Sequence, residues 1–308
     1  MELTSQKFDV VVIGGGPAGM SAALWCAEVG LSSLIVEREY DFGGQLARIH
    51  SPIKNYLGLE TANGNEMKQR FEANLARLNI KASFGVEVES LDLDRKIARL
   101  VDRRSFEWGA LIFATGVRRR LLGIPGEKEF VDHGVLNSGV GEKSKADGKT
   151  VVIVGGGDAA LENSLILSDV ASRVILVHRR AEFTARQEFI DAASRRSNIE
   201  LITGKTVASI DGDDHVRSVT VKDLGDNTVS TISSDLVLIR IGVLPNSELL
   251  SGKVEMDRSG YVIVDASGAS SAVNVFAVGD VANPHSPTIS TAVGTGATAV
   301  KVILDKSN

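Results

Sequence analysis

Two glycine-rich segments of the chain are of a type that binds phosphate groups. Gly14-x-Gly16-x-x-Gly19 follows the apolar residues 8–13, and Gly155-x-Gly157-x-x-Ala160 follows the apolar residues 151–154. In such a segment the first glycine makes a tight turn, the second lets the backbone approach a pyrophosphate, and the third position lets the next helix pack closely. Unpaired N–H groups at the start of that helix favour an anion. The sequence therefore predicts two dinucleotide sites.

Residues of opposite charge end the strand that follows each glycine segment. Residues 33–36 end at Glu37, whose carboxylate is suited to accept hydrogen bonds from adenosine ribose hydroxyls. Residues 174–177 end in the His-Arg-Arg run of residues 178–180, and guanidinium groups pair well with a 2′-phosphate. We therefore expect FAD in the first site and NADPH in the second, with hydride transfer between them. A solvated run of charge is the alternative for residues 178–180.

The elements that must position these residues follow from the same segments. We predict strands over residues 8–13, 33–36, 151–154 and 174–177, and helices over residues 20–30 and 160–167. Gly30 is a suitable C-cap for the first of these helices. Strand, helix and strand in this order build a parallel sheet. The predicted fold class is α/β, with two Rossmann-like dinucleotide-binding domains.

Length and composition exclude several other classes. A chain of 308 residues favours two domains. No apolar run reaches the roughly 18 residues of a membrane span, and no basic leader precedes residues 8–13, so we expect a cytoplasmic protein. The net charge of −5 argues against nucleic acid as a partner. The five histidines lack metal-ligand spacing and no Ser/His/Asp arrangement is recognisable, so neither a metal site nor a hydrolase is predicted.

Together with other motifs, the two segments resemble the low-molecular-weight thioredoxin reductase family of FAD- and NAD(P)H-dependent pyridine nucleotide–disulfide oxidoreductases. The resemblance runs along nearly the whole chain. The matching motifs, in order, are Gly14–Gly19, Gly43-Gly44-Gln45-Leu46, Asn55-Tyr56-Leu57-Gly58, Ala114-Thr115-Gly116, Gly123-Ile124-Pro125-Gly126-Glu127, Gly155–Ala160, His178-Arg179-Arg180, Ile241-Gly242-x-x-Pro245-Asn246 and Val275-Phe276-Ala277-Val278-Gly279-Asp280-Val281.

The resemblance implies a domain plan and two sets of cofactor-binding residues. An NADPH domain over residues 118–246 is inserted into an FAD domain made of residues 1–117 and 247–308, and the protein is expected to be a homodimer. The residues expected to bind FAD are Gly14, Gly16, Pro17, Ala18, Gly19, Glu37, Gly44, Gln45, Leu46, Asn55, Thr115, Gly116, Gly279, Asp280, Thr288 and Ile289. Those expected to bind NADPH are Gly155, Gly157, Asp158, Ala159, Ala160, His178, Arg179, Arg180, Ile241 and Gly242.

Two C-terminal features are also interpreted through the resemblance. Asp280 is expected to hydrogen-bond the ribitol or pyrophosphate region of the flavin, a turn residue being the alternative. The Gly294-x-Gly296 segment is expected to begin the last helix beside the isoalloxazine.

One departure from the family decides the chemistry. Thioredoxin reductases carry a Cys-x-x-Cys ahead of the second glycine segment, and the corresponding residues here are Ser138-Gly139-Val140-Gly141. Disulfide reduction needs one thiolate to attack and a second to resolve the mixed disulfide. Cys26 is the one cysteine of the chain, and we expect it to be a buried structural residue. Thioredoxin reductase activity is therefore excluded, and no catalytic residue is identified.

Two smaller departures concern the cofactors. Thr184 replaces the third basic residue of the family, with Arg186 nearby, so binding of the 2′-phosphate is expected to be weaker. Pro287-Thr288 replaces the Arg-Gln pair that the family places near the flavin. The missing dithiol and the change at Pro287-Thr288 alter the surroundings of the flavin on two sides, which predicts a change of electron acceptor.

The leading prediction is an enzyme that takes hydride from NADPH and passes electrons from FAD to a non-dithiol acceptor. One alternative is a ferredoxin or flavodoxin–NADP⁺ reductase-like enzyme, in which the basic run Arg118-Arg119-Arg120 could meet an acidic protein partner; a solvated hinge is the other interpretation of that run. A small acceptor such as a quinone, a nitro compound or oxygen is also open. The remaining alternative is a non-catalytic flavin-binding regulatory protein.

Overall fold

The structure is a computed structural model that describes residues 6–307. Residues 1–5 and residue 308 lie outside the described residues. The expectation that no leader precedes the first strand concerns residues 1–5. The chain divides into two compact units. The first ends at Arg118 and resumes at Leu244, and the second is the intervening segment Arg119–Val243. The fold is therefore α/β, with the second unit inserted into the first.

The first unit is built on a sheet of mixed direction. Its N-terminal part contains strands β1 (Gln6–Ile13), β2 (Ser33–Val36), β3 (Lys81–Ser83), β4 (Val88–Asp92), β5 (Ile97–Leu100) and β6 (Ser105–Phe113), and helices α1 (Pro17–Glu28) and α2 (Gly64–Leu75). Strands β3, β2, β1 and β6 lie side by side and run parallel. The antiparallel strands β5 and β4 continue the sheet beyond β6. The carboxyl ends of β1 and β2 thus meet at one edge, where dinucleotides bind in such sheets.

The second unit contains a parallel sheet and a smaller antiparallel one. From the connecting strand onward the chain forms β7 (Val117–Arg119), β8 (Val135–Leu136), β9 (Thr150–Gly155), β10 (Arg173–Val177), β11 (Ile199–Ile202), β12 (Lys205–Gly212), β13 (Val216–Asp223), β14 (Val229–Ser233), β15 (Leu236–Arg240) and β16 (Val243–Pro245), with helices α3 (Asp158–Ser168) and α4 (Gln187–Ser194). The parallel sheet has the order β11-β10-β9-β15-β8, and β12, β13 and β14 form the antiparallel sheet.

In the parallel strands of both units, buried residues alternate between the two faces of the sheet. In β1, Val10 and Val12 pack with α1, whereas Val11 and Ile13 belong to the core on the opposite face. In β9, Val151 and Ile153 pack with α3, whereas Val152 and Val154 pack with the antiparallel sheet. Both faces are covered, which is why these strands are continuous apolar runs.

The chain returns to the first unit with β17 (Val275–Ala277) and α5 (Ile289–Ser307). β17 pairs in parallel with the end of β6. The expectation that Gly294-x-Gly296 begins the last helix is wrong, because α5 starts earlier, at Ile289. The reason for Gly296 is packing: a Cβ there would overlap the backbone oxygen of Ala18 in α1. No helix among residues 6–307 is long and apolar enough to cross a membrane.

The two connecting segments, β7 and β16, pair as a two-stranded sheet. Arg118 and residues 244–246 group with the first unit, although the sequence assigned them to the inserted domain. The physical reason is a set of hydrogen bonds to the Ala-Thr-Gly turn. Thr115 Oγ1 donates to the carbonyl of Asn246 (2.6 Å), Asn246 Nδ2 donates to the carbonyl of Thr115 (2.8 Å), and the Asn246 amide donates to Gly116 (2.9 Å).

Candidate dinucleotide sites

A cavity of about 920 Å³ opens at the carboxyl ends of β1, β2 and β6 in the first unit. Its volume lies within the range of about 300–1,000 Å³ that is typical of ligand sites. All residues of the predicted FAD set except Gly19 and Asn55 line it, namely Gly14, Gly16, Pro17, Ala18, Glu37, Gly44, Gln45, Leu46, Thr115, Gly116, Gly279, Asp280, Thr288 and Ile289. Asn55 is exposed and lies outside the cavity lining.

The first glycine segment has the backbone that close approach of a phosphate requires. Gly14 has a φ of 107°, and a Cβ there would overlap the carbonyl of Ala114. A Cβ at Gly19 would overlap the carbonyl oxygen of Gly14, so this glycine serves helix packing. Gly16 differs, since the nearest atom to a Cβ placed there is the Cα of Gly44, 4.0 Å away. Gly16 therefore presents bare backbone to the cavity, as a pyrophosphate site needs.

Glu37 is buried, at 8% exposure, and holds the glycine segment in place. Its Oε2 accepts a hydrogen bond from the amide of Gly15 (2.6 Å), and its Oε1 accepts one from the amide of Glu39 (2.9 Å). A carboxylate has about four acceptor positions, so further donors can be accommodated. Because Glu37 also lines the cavity, its carboxylate can accept hydrogen bonds from hydroxyl groups of a ligand there.

Asp280 presents a second carboxylate to the same cavity. Burial raises its pKa, and no hydrogen bond among the described residues reaches its side chain. The preceding Gly279, with a φ of 70°, donates its amide hydrogen bond to Thr295 Oγ1 (3.1 Å). A half-buried acceptor without a protein donor suits a ligand that supplies hydroxyl groups.

The cavity also includes residues that the sequence analysis missed. Arg38, Tyr40 and Phe42 follow β2, and Lys68 lies on α2. The first three could have been found from the rule that ligands bind beyond the carboxyl ends of parallel strands. Lys68 pairs with Asp41, and its aliphatic stem packs on Gly43. No local sequence signal indicates that long-range contact.

In the second unit, His178 supports the glycine segment by packing. Its ring lies so close to Gly156 that a Cβ there would overlap the imidazole, and it stacks on Phe183 with ring centres 5.3 Å apart. The side chain is 8% exposed, and Nε2 has no hydrogen-bond partner among the described residues. Burial, and then the charges of Arg180 and Arg179, lower the pKa of His178. The imidazole is therefore neutral at pH 7.

Arg179 and Arg180 are exposed at the carboxyl end of β10. Neither forms an ion pair with a carboxylate within the described part of the chain, so both guanidinium groups are available to an anion. Gly155 packs against Ala160 within the segment. Gly242, with a φ of 93°, follows the neighbouring strand β15. The predicted NADPH residues are thus grouped around the ends of β9, β10 and β15.

Arg186 does not provide the missing third cation. Its backbone amide and Nε donate to the two oxygens of Asp158 (2.7 and 2.9 Å), and Nη1 pairs with Glu188 (2.8 Å). Thr184 Oγ1 donates to the carbonyl of Gly156 (3.2 Å). The acidic Asp158 and Glu188 neutralise Arg186 and fix its position, which the local spacing could not predict.

The turn at Ser138-Gly139-Val140-Gly141 is held by side-chain hydrogen bonds. Ser138 Oγ accepts from the amide of Gly141 (3.0 Å), while Glu142 Oε2 accepts from the amides of Asn137 (2.6 Å) and Ser138 (2.8 Å). A Cβ at Gly139 would overlap Asn163 Oδ1. The turn contains no thiol, and it has no room for a larger residue at Gly139.

Cys26 is a structural residue, as predicted. Its side chain is fully buried in the first unit, with 0% exposure, and burial raises its thiol pKa to about 12. A thiol in that state does not form the reactive thiolate at neutral pH. The described residues also contain no group of three or more His, Cys, Asp or Glu that could hold a metal.

The basic run Arg118-Arg119-Arg120 does not form one patch. Arg118 donates to Asn246 Oδ1 (2.9 Å) and pairs with Glu248 in the first unit. Arg119 donates instead to the carbonyl of Asn137 in the second unit. Arg120 is exposed. Arg118 and Arg119 have separate structural partners because successive side chains of a strand point to opposite faces.

Comparison with known proteins agrees with this geometry. The sequence model of the family "pyridine nucleotide-disulphide oxidoreductase" matches residues 8–296. Thioredoxin reductase from Bacillus subtilis is 31% identical, with 96% of this chain and 93% of that protein aligned. The crystal structure of Lactococcus lactis thioredoxin reductase, in its FR conformation, superposes with a TM-score of 0.82 at 30% identity, covering 97% of this chain and 98% of the other.

A further relative is longer than this chain. An NADH dehydrogenase from Ferdinandcohnia aciditolerans is 31% identical over 95% of this chain and 56% of its own length. The predicted α/β fold and the predicted resemblance are both confirmed by these matches. The chain belongs to the pyridine nucleotide-disulphide oxidoreductase family, of the thioredoxin reductase type, whose members bind FAD and NAD(P)H, and it lacks the Cys-x-x-Cys.

Proposed function

We propose that the protein is an FAD-dependent oxidoreductase that takes hydride from NADPH and passes electrons from the flavin to an acceptor other than a dithiol. One observation carries the proposal. Both glycine segments have the backbone conformation that the proposed nucleotide sites need, whereas the turn that would hold the dithiol has Ser138 and Gly141 in place of the two cysteines. A chain that had lost all redox function would have no reason to retain two such segments with residues of opposite charge.

The cavity of the first unit is the proposed FAD site. Gly16 and the start of α1 bind the pyrophosphate, because Gly16, Pro17 and Ala18 line the cavity and the start of a helix favours an anion. Glu37 accepts hydrogen bonds from the adenosine ribose hydroxyls, and Asp280 accepts a hydrogen bond from a hydroxyl of the ribitol region. Thr288 and Ile289, at the start of α5, lie along the remaining side of the cavity. When bound, FAD supplies the hydride-accepting chemistry.

The ends of β9, β10 and β15 form the proposed NADPH site. The Gly155–Ala160 segment binds the pyrophosphate, and Arg179 and Arg180 bind the 2′-phosphate. Two exposed guanidinium groups that have no carboxylate partner among residues 6–307 favour NADPH over NADH. His178 positions the segment through its contact with Gly156 and stays uncharged.

No thiol of this chain can relay electrons, since Cys26 is buried and unreactive. The acceptor, a small molecule or a small redox protein, has to contact the flavin directly. Members of this family are often homodimers, and we extend that assembly to this protein. A basic docking patch for ferredoxin or flavodoxin finds no support in Arg118–Arg120, because the first two are bonded to protein groups.

Anaerobic stopped-flow reduction tests the proposal. The FAD-loaded protein is mixed with NADPH or NADH, and the reduced protein is then mixed with quinones, a nitro compound, oxygen, ferredoxin, flavodoxin or thioredoxin. We expect faster flavin bleaching with NADPH, and reoxidation by at least one acceptor other than thioredoxin. A flavin that neither nucleotide bleaches would overturn the proposal in favour of a non-catalytic flavin-binding regulatory protein.

A further inference from the structure

Among residues 6–307, Tyr40 is the most exposed of the Phe, Tyr and Trp side chains, at 89%. It nevertheless lines the cavity of the first unit. Its hydroxyl group forms no hydrogen bond within the described part of the chain. Ligand cavities are lined largely by apolar and aromatic side chains, with a few polar groups. The ring of Tyr40 is therefore apolar surface that the fold leaves available to a ligand.

A glycine on a neighbouring loop holds the Tyr40 ring in place. Gly85 lies shortly after β3 and has a φ of 67°. A Cβ there would overlap Cε1 and Cδ1 of the Tyr40 ring, so one edge of the ring rests on bare backbone. The Gly85 amide also donates to the carbonyl of Glu39 (2.9 Å), which joins the two loops beside the ring. The protein thus fixes one edge of the ring.

Phe42 attaches the turn that carries Tyr40 to the first glycine segment. The Phe42 ring lies so close to Gly15 that a Cβ there would overlap it. The same ring meets Phe84 edge-on, with ring centres 4.7 Å apart, and Phe84 directly precedes Gly85. The loops after β2 and β3 are therefore held together beside the glycine segment. These contacts give Tyr40 a defined place at the wall of the cavity.

Glu37 and Tyr40 belong to the same turn, the segment that follows β2. Glu37 Oε1 accepts a hydrogen bond from the amide of Glu39 (2.9 Å), the residue before Tyr40. The side chains of Glu37 and Tyr40 both line the cavity. Glu37 is the proposed acceptor for the ribose of adenosine, and the base bonded to that ribose is a planar aromatic group. Aromatic side chains stack on such bases.

We propose that the Tyr40 ring stacks on the adenine of the dinucleotide bound in the first site and thereby selects FAD over flavins without a base, such as FMN. The inference rests on the proposed function, because it takes FAD as the cofactor. A base that extends from a ribose at Glu37 towards the loops after β2 and β3 meets the Tyr40 ring. Tyr40 therefore determines which flavin is retained, and it takes no part in hydride transfer.

Flavin dissociation is the measurement. The protein, loaded with FAD or with FMN, is diluted, and the fluorescence of the free flavin gives the two Kd values. Tyr40→Ala should raise the Kd for FAD about tenfold or more, the value of one stacked base, and should leave the Kd for FMN unchanged. Tyr40→Phe keeps the ring and should stay within about twofold of the parent for both flavins. Val273→Ala is the control, because Val273 is an exposed apolar residue (83%) outside the cavity lining, and neither Kd should change.

Gly85→Ala tests the position of the ring. It should weaken FAD binding in the parent protein, because the added methyl group displaces Tyr40, and it should have no further effect on FAD binding in Tyr40→Ala. Fluorine NMR of protein labelled with fluorotyrosine adds a spectroscopic signature. The chain has three tyrosines, and the resonance that is missing in Tyr40→Phe should differ between the FAD-loaded and the FMN-loaded protein.

An unchanged Kd for FAD in Tyr40→Ala, or equal losses of FAD and FMN, would overturn the proposal. So would a Tyr40 resonance that is the same with either flavin. None of these results depends on whether NADPH reduces the flavin. A protein that retains FAD through Tyr40 but is not bleached by NADPH would instead overturn the proposed function alone.

Discussion

The two glycine segments have similar backbones, but they differ in which residues support the segment and which are available to a ligand. In both, the residue directly after the following strand (β2 or β10) supports the glycine that lies between the first two glycines of the motif, Gly15 or Gly156. Glu37 accepts the amide hydrogen bond of Gly15 (2.6 Å), and the His178 ring packs on Gly156. In the first unit this supporting residue also faces the ligand cavity. In the second unit the supporting residue His178 packs on Gly156 and Phe183, and the next two residues, Arg179 and Arg180, are exposed.

Support of the glycine segment and recognition of the ligand are therefore separable. A carboxylate can do both, because it has about four acceptor positions and two suffice for the backbone. The imidazole of His178 is buried against Gly156, so we assign recognition of the nucleotide in the proposed second site to its exposed neighbours Arg179 and Arg180. The acid and the histidine are therefore equivalent in position but not in role. Substitutions at these residues should separate the two functions.

The largest effect is expected for Gly14→Ala. Gly14 has a φ of 107° and its Cβ would overlap the carbonyl of Ala114. Strain and overlap together should cost about 3 kcal/mol or more and abolish FAD retention. Urea unfolding and the flavin-to-protein absorbance ratio measure both effects.

Gly30→Ala is the control for that prediction. Gly30 also has a positive φ, of 79°, but no atom lies within 4 Å of a Cβ placed there. Its cost should be about 1–2 kcal/mol, from backbone strain alone, with FAD retained. Equal losses in the two variants would contradict the assigned role of the Gly14 contact.

The next effect concerns the cations of the second unit. Arg179→Ala and Arg180→Ala should each raise the Kd for NADPH about tenfold to a hundredfold, the value of a charge-assisted phosphate contact. The Kd for NADH should stay nearly constant. Both constants can be measured by fluorescence titration of the nucleotide.

Arg186→Ala is the control for these two variants, because it removes an arginine that already has carboxylate partners. Since Asp158 and Glu188 already neutralise Arg186, its removal should change the Kd for NADPH less than threefold, roughly 0.6 kcal/mol. A loss as large as that of Arg179→Ala would show that Arg186 leaves Asp158 when the nucleotide binds.

A smaller effect is expected for Glu37→Gln. The amide keeps the shape and one acceptor oxygen but loses the charge that strengthens the bonds from Gly15 and Glu39. FAD affinity should fall about tenfold, with a stability loss of about 1–2 kcal/mol. Unchanged flavin affinity alongside lowered stability would show that Glu37 only supports the backbone, as His178 does.

The smallest effect is the pH dependence of His178. Its folded-state pKa is lowered by burial, so the fold favours the neutral imidazole, and this contribution is lost as pH falls below the unfolded-state value of about 6.5. Unfolding free energy between pH 7.5 and 5.5 should fall more in the parent protein than in His178→Phe.

Local patterns predicted the elements and the family, but not the side-chain partners. The Gly14–Gly19 and Gly155–Ala160 segments, with β2 and β10 after them, were predictable because each requirement falls within a short stretch of chain. The ion pair of Arg186 with Asp158 joins residues 28 positions apart. The reason for Gly296 is the backbone of Ala18. Contacts of this kind depend on which elements become neighbours in the fold. The spacing of residues along the sequence therefore does not predict them.

The dependence of side-chain contacts on the fold also explains why the sequence suggested a basic patch at residues 118–120. Residues 118–120 are contiguous in sequence, but they form one patch only if their side chains share a face. The strand pairing of β7 sends Arg118 to Asn246 and Arg119 to Asn137. Asn55 is a comparable case, because the motif was recognisable while its exposure was not.

The central claim is that NADPH reduces the flavin and that electrons leave it without a thiol. The direct measurement is anaerobic reoxidation of NADPH-reduced protein by thioredoxin, in the parent protein and in Cys26→Ser. We predict complete bleaching by NADPH, no reoxidation by thioredoxin above that given by free reduced flavin, and identical traces for the two proteins. Rapid reoxidation by thioredoxin that Cys26→Ser abolishes would contradict the account, because it would require a single-cysteine mechanism at a buried thiol.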